Sequence, residues 1–422
     1  MERRAAEALD AGDPLRGIVD RFAIDDPGLC YLDGNSLGRL PLATRARLRD
    51  VIDREWGSGL VRSWPDWIDG PLEVGDRLGR TLLGAAPGQT LIADSVTVNL
   101  YKLAAAVLSE ATTADPDRRV LVTTDDEFPT DRYVLDGVAR QYGGKLRVVP
   151  ADPVHGLDPE RLAAAVGSDT AVVSLSLVSY RSASLLDLAS VTDIVHRAGA
   201  HMLWDLSHAV GSVPVDLDGA EVDLAVGCTY KYVNAGPGAP GFLYVARRHQ
   251  ARLRSPIQGW FAQRDQFAMG ADFAPVDHVG RFATGTPSVI GLAAVDEGVK
   301  VHAEAGIDRV RAKGVGLTSL LVDLADAWLA PLGFEVASPR EATRRGAHVA
   351  LRHPEAERIV AALIAEAGVV GDFRGPDRVR LGPAPLTTRF VEVWDALDHI
   401  RDLVAAGRHL SHDRPEPSEP SR

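Results

Sequence analysis

Between about residues 90 and 245, short runs of β-forming residues alternate with stretches of helical period. The predicted strands are largely apolar throughout, as expected for strands that are covered on both faces: 120–124, 146–149, 171–178, 201–205, 224–228 and 242–245. Helices are predicted between them, for example 99–109, 130–142 and 190–197. This alternation is typical of parallel strands joined by crossover helices, so the predicted fold class is α/β with a mostly parallel sheet.

The pattern changes after Gly298. Two long helical segments reach about Leu329, and they are followed by two strands, a helix over 355–367 that Gly368 should end, a strand, and a last helix over 390–405. This order predicts a second, smaller α+β domain. We therefore expect four parts: an N-terminal segment (1–60) that packs on the small domain and the active site, a large domain (61–298), the small C-terminal domain (299–410), and a disordered tail (411–422) rich in Pro, Ser and charge.

Composition excludes several classes of protein. The chain has 46 Lys and Arg against 58 Asp and Glu, a net charge of −12, and it has no basic run, so nucleic acid and anionic membranes are poor partners. No apolar run approaches a membrane span, and Asp10 and Asp13 interrupt any export signal. Cys30 and Cys228, the two cysteines, lie far apart, which fits a reducing cytoplasm, and neither they nor the scattered histidines predict a metal site.

Two motifs suggest chemistry that their context opposes. Residues 34–38 read Gly-Asn-Ser-Leu-Gly, the letters of a serine-hydrolase elbow with Ser36 as nucleophile, but Pro41 follows where a helix should begin. Residues 236–241 read Gly-Pro-Gly-Ala-Pro-Gly, but this dinucleotide-binding pattern leads into a strand instead of opening a helix. Both motifs are more simply interpreted as turns.

The informative pair is Asp205 and Lys231. Asp205 ends the strand His-Met-Leu-Trp-Asp, and Lys231 follows the next predicted strand, so both should lie at the carboxyl edge where open α/β sheets bind ligands. A buried lysine can keep the neutral amine that forms a Schiff base. A neighbouring carboxylate can hold a pyridinium nitrogen protonated, which makes a pyridoxal ring an electron sink. Charged strand ends are common in α/β proteins, so the pair alone leaves a purely structural role open.

Further residues at this edge suit an anion and a planar ring. Asp94-Ser-Val-Thr-Val-Asn99 opens a helix whose free N–H groups favour a phosphate, although an ordinary helix cap has the same appearance. Ser176 ends another strand. Phe128-Pro-Thr-Asp131 follows the strand 120–124, where Phe128 can stack on a ring or pack in the core.

Several longer strings resemble the kynureninases, which are pyridoxal 5′-phosphate (PLP) enzymes of the aspartate-aminotransferase superfamily. The strings are Tyr31-Leu-Asp-Gly-Asn-Ser-Leu-Gly38, Gly59-Leu-Val-Arg-Ser-Trp64, Phe128-Pro-Thr-Asp131, Trp204-Asp-Leu-Ser-His-Ala-Val-Gly211 and Val226-Gly-Cys-Thr-Tyr-Lys-Tyr-Val-Asn-Ala-Gly-Pro-Gly238. The likeness runs in order from about residue 22 to 400. It implies a PLP-dependent transferase-like large domain and a homodimer with shared active sites.

The resemblance also implies a role for individual residues. Lys231 would form the Schiff base, Asp205 would hold the ring nitrogen, and His208 would lie near the cofactor. Val96, Thr97, Ser176 and Tyr230 would contact the phosphate end, and Phe128 would stack on the ring beside Thr130 and Asp131. Trp260 and Thr286 would reach across from the second subunit. Arg380 would bind the substrate carboxylate, while Ser36 and Trp64 would line the substrate pocket.

The implied reaction is hydrolysis of the Cβ–Cγ bond of L-kynurenine, or of 3-hydroxykynurenine, to anthranilate or its 3-hydroxy form and L-alanine. Lys231 would move the Cα proton and Tyr230 would donate a proton to the product. The resemblance places the enzyme in cytoplasmic tryptophan degradation and NAD biosynthesis. The alternatives are another PLP-dependent enzyme, an aminotransferase or a desulfurase, and more remotely a serine hydrolase that uses Ser36.

Overall fold

The computed structural model describes residues 2–412. Its α-helices, in chain order, are α1 (Arg3–Gly12), α2 (Leu42–Asp50), α3 (Trp64–Trp67), α4 (Gly70–Leu78), α5 (Val96–Ala114), α6 (Pro129–Gln141), α7 (Pro159–Ala165), α8 (Leu188–Arg197), α9 (Arg247–Gln250), α10 (Val289–Ala305), α11 (Ile307–Leu324), α12 (Ala356–Ala362) and α13 (Phe390–Ala405). The predicted tail, 411–422, lies outside the described residues from 413 onward.

The strands are β1 (Cys30–Tyr31), β2 (Thr90–Ile92), β3 (Val120–Thr124), β4 (Lys145–Val149), β5 (Thr170–Ser176), β6 (His201–Asp205), β7 (Leu224–Gly227), β8 (Phe242–Val245), β9 (Glu335–Val336), β10 (Val349–Arg352), β11 (Val369–Val370), β12 (Asp372–Arg374) and β13 (Arg378–Leu381). A seven-stranded sheet has the order β2-β8-β7-β6-β5-β3-β4, and a four-stranded antiparallel sheet has the order β12-β13-β10-β9.

The large sheet is α/β and mostly parallel, as predicted. Strands β3 to β7 pair in parallel, whereas β8 runs antiparallel to both of its neighbours, β7 and β2. The loop before β8, residues 228–241, contains glycine and proline and forms no helix, so β8 lacks the crossover helix that usually precedes a parallel strand. The sequence patterns also missed β2, because three residues are too few to show a period.

The first buried core covers the large sheet in two clusters and includes residues of α10. The second core packs α11, α12 and α13 against the four-stranded sheet, and a smaller cluster joins the N-terminal segment to the end of α10. Helix α10 runs through the boundary predicted between residues 298 and 299, so the chain does not break there. At Gly298 a Cβ atom would lie 2.0 Å from the carbonyl oxygen of Val233, so the glycine lets α10 pack closely on the segment that carries Lys231.

The second core also contains the most apolar helical stretch. Ile307–Leu332 is long and apolar enough, by length and composition, to cross a membrane. Leu317 and Leu321 of this stretch are fully buried in the core that α11 shares with α13. Its apolar character is therefore explained by packing inside the protein.

The N-terminal segment packs on the C-terminal part of the chain. Strand β1 pairs in parallel with β11, and α1 packs on α13. The carboxylate of Asp10 accepts hydrogen bonds from the backbone N–H groups of Phe390 and Val391 at 2.7 and 3.0 Å, which caps the first turn of α13. Asp33 then forms a bridge with Gly382. These contacts bring the turn that contains Ser36 next to β13.

Candidate active site

The carboxyl edge of the large sheet surrounds a cavity of about 150 Å³. Asp205 is the last residue of β6, and Lys231 lies in the loop after β7, so neighbouring strands deliver both side chains to one place. The cavity is lined by Ser95, Val96, Thr97, Phe128, Thr130, Asp131, Ser176, Tyr180, Asp205, Ser207, His208, Cys228, Tyr230, Lys231, Ala239 and Gly241. Most of the predicted cofactor residues therefore meet in one cavity.

The amine of Lys231 faces a histidine and not an acid. Its Nζ lies 3.4 and 3.3 Å from Nδ1 and Nε2 of His208, and among residues 2–412 no carboxylate lies within ion-pair distance of it. Burial lowers the pKa of Lys231, and burial together with the Lys231 charge lowers the pKa of His208 well below its usual value. Both side chains are thus biased towards their neutral forms.

Three buried carboxyl groups, those of Asp205, Asp131 and Glu127, lie at the same edge of the sheet. Asp205 accepts a hydrogen bond from the backbone N–H of Ser207 at 2.6 Å. Burial raises the pKa of Asp131 well above its usual range, and the charges of Asp205 and Glu127 add to that rise. Asp131 is therefore biased towards its protonated form, and its side chain shares a hydrogen bond with Asp205.

Ser176 lies next to Asp205. The register of β5 and β6 pairs Ser176 directly with Asp205. Its hydroxyl and backbone N–H donate to the carboxylate of Glu127 at 2.5 and 2.9 Å, and burial raises the pKa of Glu127 to about 7. The contact with the phosphate end that the resemblance implies for Ser176 stays a prediction.

The N-terminus of α5 is held open for an anion. Ser95 caps the helix by accepting from the N–H of Val98 at 3.4 Å, so Val96 and Thr97 present the first backbone N–H groups of the helix to the cavity. A Cβ atom at Gly241 would lie 3.3 Å from the nitrogen of Val96. The misleading glycine motif therefore has a local purpose, which is to let the backbone pass close to this helix.

A buried ion pair ties another loop to the same helix. The Nζ atom of Lys102 donates to Asp94 and to the carbonyl of Phe282, both at 2.7 Å, and the hydroxyl of Thr284 donates to Asp94 at 3.1 Å. Thr286 follows in this loop and lines a second cavity of about 400 Å³, which shares Ser95, Tyr230 and Ala239 with the first. The sequence analysis named Asp94 as part of the segment that opens α5 but missed its partner Lys102, which lies inside the helix among apolar residues.

The rings of Trp64 and Trp260 pack against each other within one subunit. Their ring centroids are 6.1 Å apart, and Phe261 lies 6.3 Å from Trp64 and 4.8 Å from Trp260. Trp64 is not among the residues that line the Lys231 cavity. Trp64 and Trp260 therefore belong to one aromatic cluster with Phe261, and the substrate contact that the resemblance implies for Trp64 stays a prediction.

Arg380 is buried on β13 and faces the turn that contains Ser36. Its Nη2 atom donates to the hydroxyl of Ser36 at 3.0 Å, and its Nη1 donates to the carbonyl of Tyr180 at 2.6 Å. Tyr180 lines the Lys231 cavity, and its ring packs edge-to-face on Phe128 at 5.4 Å. Arg380 therefore reaches the cavity through Tyr180. Ser36 contacts Arg380 and Asp372 among the described side chains, which is not the histidine partner that a nucleophilic serine needs.

Other residues of the site escaped the sequence analysis. Glu127 stands next to Phe128 and could have been found as a further acid at the same strand end. His348 is fully buried with its ring 5.7 Å from that of His208, and Asp372 pairs with Arg380. These two residues come from the small domain, and no local pattern indicates which side chains a second domain brings to a sheet edge.

The residues present fit PLP. A lysine amine without a carboxylate partner, a buried aspartate, a helix N-terminus opened by Gly241 and the half-exposed ring of Phe128 supply what its aldehyde, ring nitrogen, phosphate and ring face require.

Comparison with known proteins agrees with this geometry. The model of the kynureninase C-terminal domain matches residues 310–400. Over 404 residues the chain is 42% identical to the kynureninase of Burkholderia pseudomallei (strain K96243), covering 95% of each chain. It is 41% identical over 401 residues to the kynureninase of Pseudomonas fluorescens, covering 94% of each.

Solved structures share the fold at lower identity. A mutant of C-DES with glycine covalently linked to the PLP cofactor has a TM-score of 0.77 at 20% identity, covering 89% of this chain and 97% of that one. The apo cysteine desulfurase from Thermococcus onnurineus NA1 has a TM-score of 0.77 at 17% identity, with coverage of 90% and 95%.

The fold and the site together define a PLP-dependent enzyme of fold type I. Within that class the relatives at 41–42% identity are decisive, because they extend over nearly the whole chain. The chain belongs to the kynureninase family.

Proposed function

We propose that this enzyme hydrolyses L-kynurenine to anthranilate and L-alanine, with the residues of the Lys231 cavity as its catalytic machinery. The observation that carries the proposal is the convergence of Lys231, Asp205 and, through Tyr180, Arg380 on one cavity. An amine, a ring-nitrogen partner and a carboxylate-binding guanidinium are together what an amino-acid substrate requires.

Bound PLP supplies an electron sink for the Cα carbon of an amino acid. Lys231 would hold the cofactor, and its amine would accept the Cα proton, because burial lowers the pKa of Lys231 and disfavours its charged form. Asp205 would hold the ring nitrogen. In the overall reaction a water supplies OH to the side-chain carbonyl carbon and the Cβ–Cγ bond breaks. A proton must then reach Cβ to give alanine.

Tyr230 is placed to donate that proton. It lines both cavities, and the Nζ of Lys231 lies 5.9 Å from the centre of its ring. Burial raises the pKa of the Tyr230 phenol above its usual value, and Cys228 adds to the rise, so the hydroxyl keeps its proton at neutral pH. A donor that is fully protonated between turnovers suits a step that ends with a new C–H bond.

The proposed activity predicts a defined set of products. The purified protein, loaded with PLP and given L-kynurenine, should release anthranilate and alanine in equal amounts. It should do so without an added keto acid, which separates hydrolysis from transamination. Liquid chromatography with fluorescence detection of anthranilate measures the outcome, and a requirement for a keto acid would contradict the proposal.

The buried thiols oppose a desulfurase activity. Such an enzyme needs a reactive cysteine near the cofactor, but burial raises the pKa of Cys228, and burial raises the pKa of Cys30 to about 12. Ser36, the remote alternative nucleophile, lacks a histidine partner. Neither alternative is favoured by an observation at the site.

We also propose a homodimer in which the loop of Trp260 and Thr286 reaches the partner's site. Large apolar side chains of the segment 51–61 support it, because Trp56 and Val61 are 58% and 71% exposed. Mixing Lys231→Ala with Trp260→Ala protein under exchange conditions should restore activity that neither has alone, since one heterodimer site then has both residues intact. Sedimentation equilibrium gives the mass, and a monomer, or a mixture without gain, would contradict shared sites.

The remaining expectations concern the cellular compartment, the pathway and the preferred substrate of the enzyme. We propose that the enzyme works in the cytoplasm in tryptophan degradation or NAD biosynthesis, on the basis of the family and of two free cysteines. Thr286, small and uncharged, favours kynurenine over 3-hydroxykynurenine as the preferred substrate. Comparing kcat/KM for the two substrates tests the preference.

A further inference from the structure

The guanidinium of Arg380 is held by a carboxylate on the neighbouring strand. Arg380 and Asp372 are directly paired across β13 and β12, and Nε of Arg380 donates to Oδ1 of Asp372 at 2.8 Å. Nη2 makes a second, short contact with Oδ2 of Asp372. This is a bidentate pair, and the Arg380 side chain is only 1% exposed. The pair with Asp372 therefore fixes the orientation of the Arg380 guanidinium.

The other partners of Arg380 leave one N–H group of its Nη1 atom available. Nη2 also donates to Ser36, and the amide oxygen of Asn35, in the orientation that satisfies its neighbours, accepts from Nε and Nη2 at 2.9 Å. Nη1 has the carbonyl of Tyr180 as its acceptor among residues 2–412, which leaves its second N–H for a ligand. Tyr180 lines the cavity, so this hydrogen bond is the link between Arg380 and the cavity.

A second arginine shares the same carboxylate. Nη2 of Arg374 lies 2.7 Å from Oδ2 of Asp372, and the buried Nε of Arg374 has no hydrogen-bond partner among the described residues. Burial is the largest cause of the lowered pKa of Lys231, and the positive charges of Arg380 and Arg374 lower it further. The charge of Arg374 therefore acts on the amine of Lys231. If Asp372 paired with Arg380 alone, its charge would cancel that of Arg380. Because Asp372 pairs with both Arg374 and Arg380, these three side chains together keep one net positive charge.

We propose that Asp372 and Arg374 are positioning and specificity-determining residues for the α-carboxylate of the substrate: Asp372 orients Arg380 towards the cavity, and Arg374 offsets the charge of Asp372. The inference rests on the proposed function, because it assigns Arg380 the substrate carboxylate. It extends that assignment to Asp372 and Arg374, which would act on the substrate through Arg380 without touching it.

Asp33 is the other acid in this cluster. Burial raises the pKa of Asp33 to about 6, and the nearby charge of Asp372 contributes to the rise. A further carboxylate entering the cluster would raise it again, so Asp33 can take up a proton as an anionic substrate binds. The cluster is therefore suited to admit one carboxylate without accumulating negative charge.

The test compares substrate affinity with and without the carboxylate. In PLP-loaded full-length enzyme, Asp372→Asn should raise KM for L-kynurenine about ten- to a hundredfold, the usual effect of losing a charge-assisted hydrogen bond, with a smaller change in kcat. The asparagine amide would present N–H groups to the guanidinium, so it cannot replace the bidentate pair. Arg374→Gln should also raise KM, and Arg374→Lys should restore most of the affinity because it restores the charge.

A second probe separates positioning from general damage. The probe is the decarboxylated analogue of kynurenine, in which hydrogen replaces the α-carboxylate, and its inhibition constant is measured in each variant. Positioning predicts that this constant is unchanged while KM rises; a structural defect would weaken both, which would overturn the proposal, as would an unchanged or lowered KM in the Asp372 variant. If Asp372→Asn does not fold, the Arg374 pair supplies the same comparison.

Two controls complete the design. Arg380→Gln must raise KM at least as much as Asp372→Asn; if it does not, the assignment of Arg380 in the proposed function fails, and not only this extension. Glu335→Gln, which removes the exposed partner of Arg352 in the same four-stranded sheet, should leave KM unchanged. The PLP absorbance of every variant is recorded to show that cofactor binding is intact.

Discussion

Replacing Lys231 with alanine should remove covalent attachment of the cofactor and lower kcat by at least about 10²–10⁴-fold, the usual contribution of a positioned proton-transfer group. Alanine cannot form the imine and cannot accept the Cα proton. The imidazole of His208 is the neighbouring base, but its Nε2 lies 3.3 Å from the position of the lost amine, and burial lowers its pKa. Borohydride reduction followed by peptide mass spectrometry should label position 231 in the parent protein and nothing in the variant.

A matched lysine provides the control. Lys300 lies on α10, is exposed and pairs with Asp296 and Glu297 on the surface. Lys300→Ala should keep both the label at position 231 and the full rate, because surface pairs of this kind contribute little. Labelling at another lysine in the Lys231→Ala protein, or turnover close to that of the parent, would refute the assignment of the cofactor-binding residue.

Replacing Asp205 with asparagine should lower kcat by about 10²–10⁴-fold, since leaving a buried charge without its partner costs about 3–5 kcal/mol. Asparagine fills the same space and can still accept from Ser207, so the fold should survive. What is lost is the carboxylate that would hold the ring nitrogen protonated, and the neighbouring Asp131 is a poor replacement because burial raises its pKa well above the usual range. Single-turnover kinetics with L-kynurenine measures the loss.

The control for Asp205 is a buried aspartate at the opposite edge of the same sheet. Asp223 precedes β7 and pairs with His196, His249 and Arg248. Burial opposes its ionisation, but hydrogen bonds from His196, His249 and the backbone N–H of Met202 lower its pKa overall. Asp223→Asn should reduce the free energy of unfolding and leave kcat nearly unchanged. If Asp223→Asn slows turnover as much as Asp205→Asn, the effect at position 205 reflects stability and not chemistry.

Much of the large domain could be predicted from local patterns. Strands β3, β6 and β8 have the predicted bounds, and α13 does as well, because continuous apolar runs and helical periods are properties of neighbouring residues. Gly368 ends its helix in the left-handed conformation, as predicted. The meeting of Asp205 and Lys231 also follows, since the carboxyl ends of parallel strands share an edge.

The features that the sequence analysis did not give have a common cause. The direction of β8, the pairing of Ser176 with Asp205 and the contact between Trp64 and Trp260 all depend on which distant segments lie side by side. A run of residues carries its own period, but not the identity of its neighbours in space. The family resemblance named residues without showing their mutual contacts.

The amino-acid sequence thus determined the class of fold, the edge at which chemistry occurs and the amine and acid that meet there, because periodicity and strand order are encoded locally. Only the tertiary structure decided that Asp372 and Arg374 stand behind Arg380 and that Glu127 holds Ser176. Those contacts join β12 to β13, and the turn after β3 to the end of β5, and their geometry exists only once the chain has closed on itself.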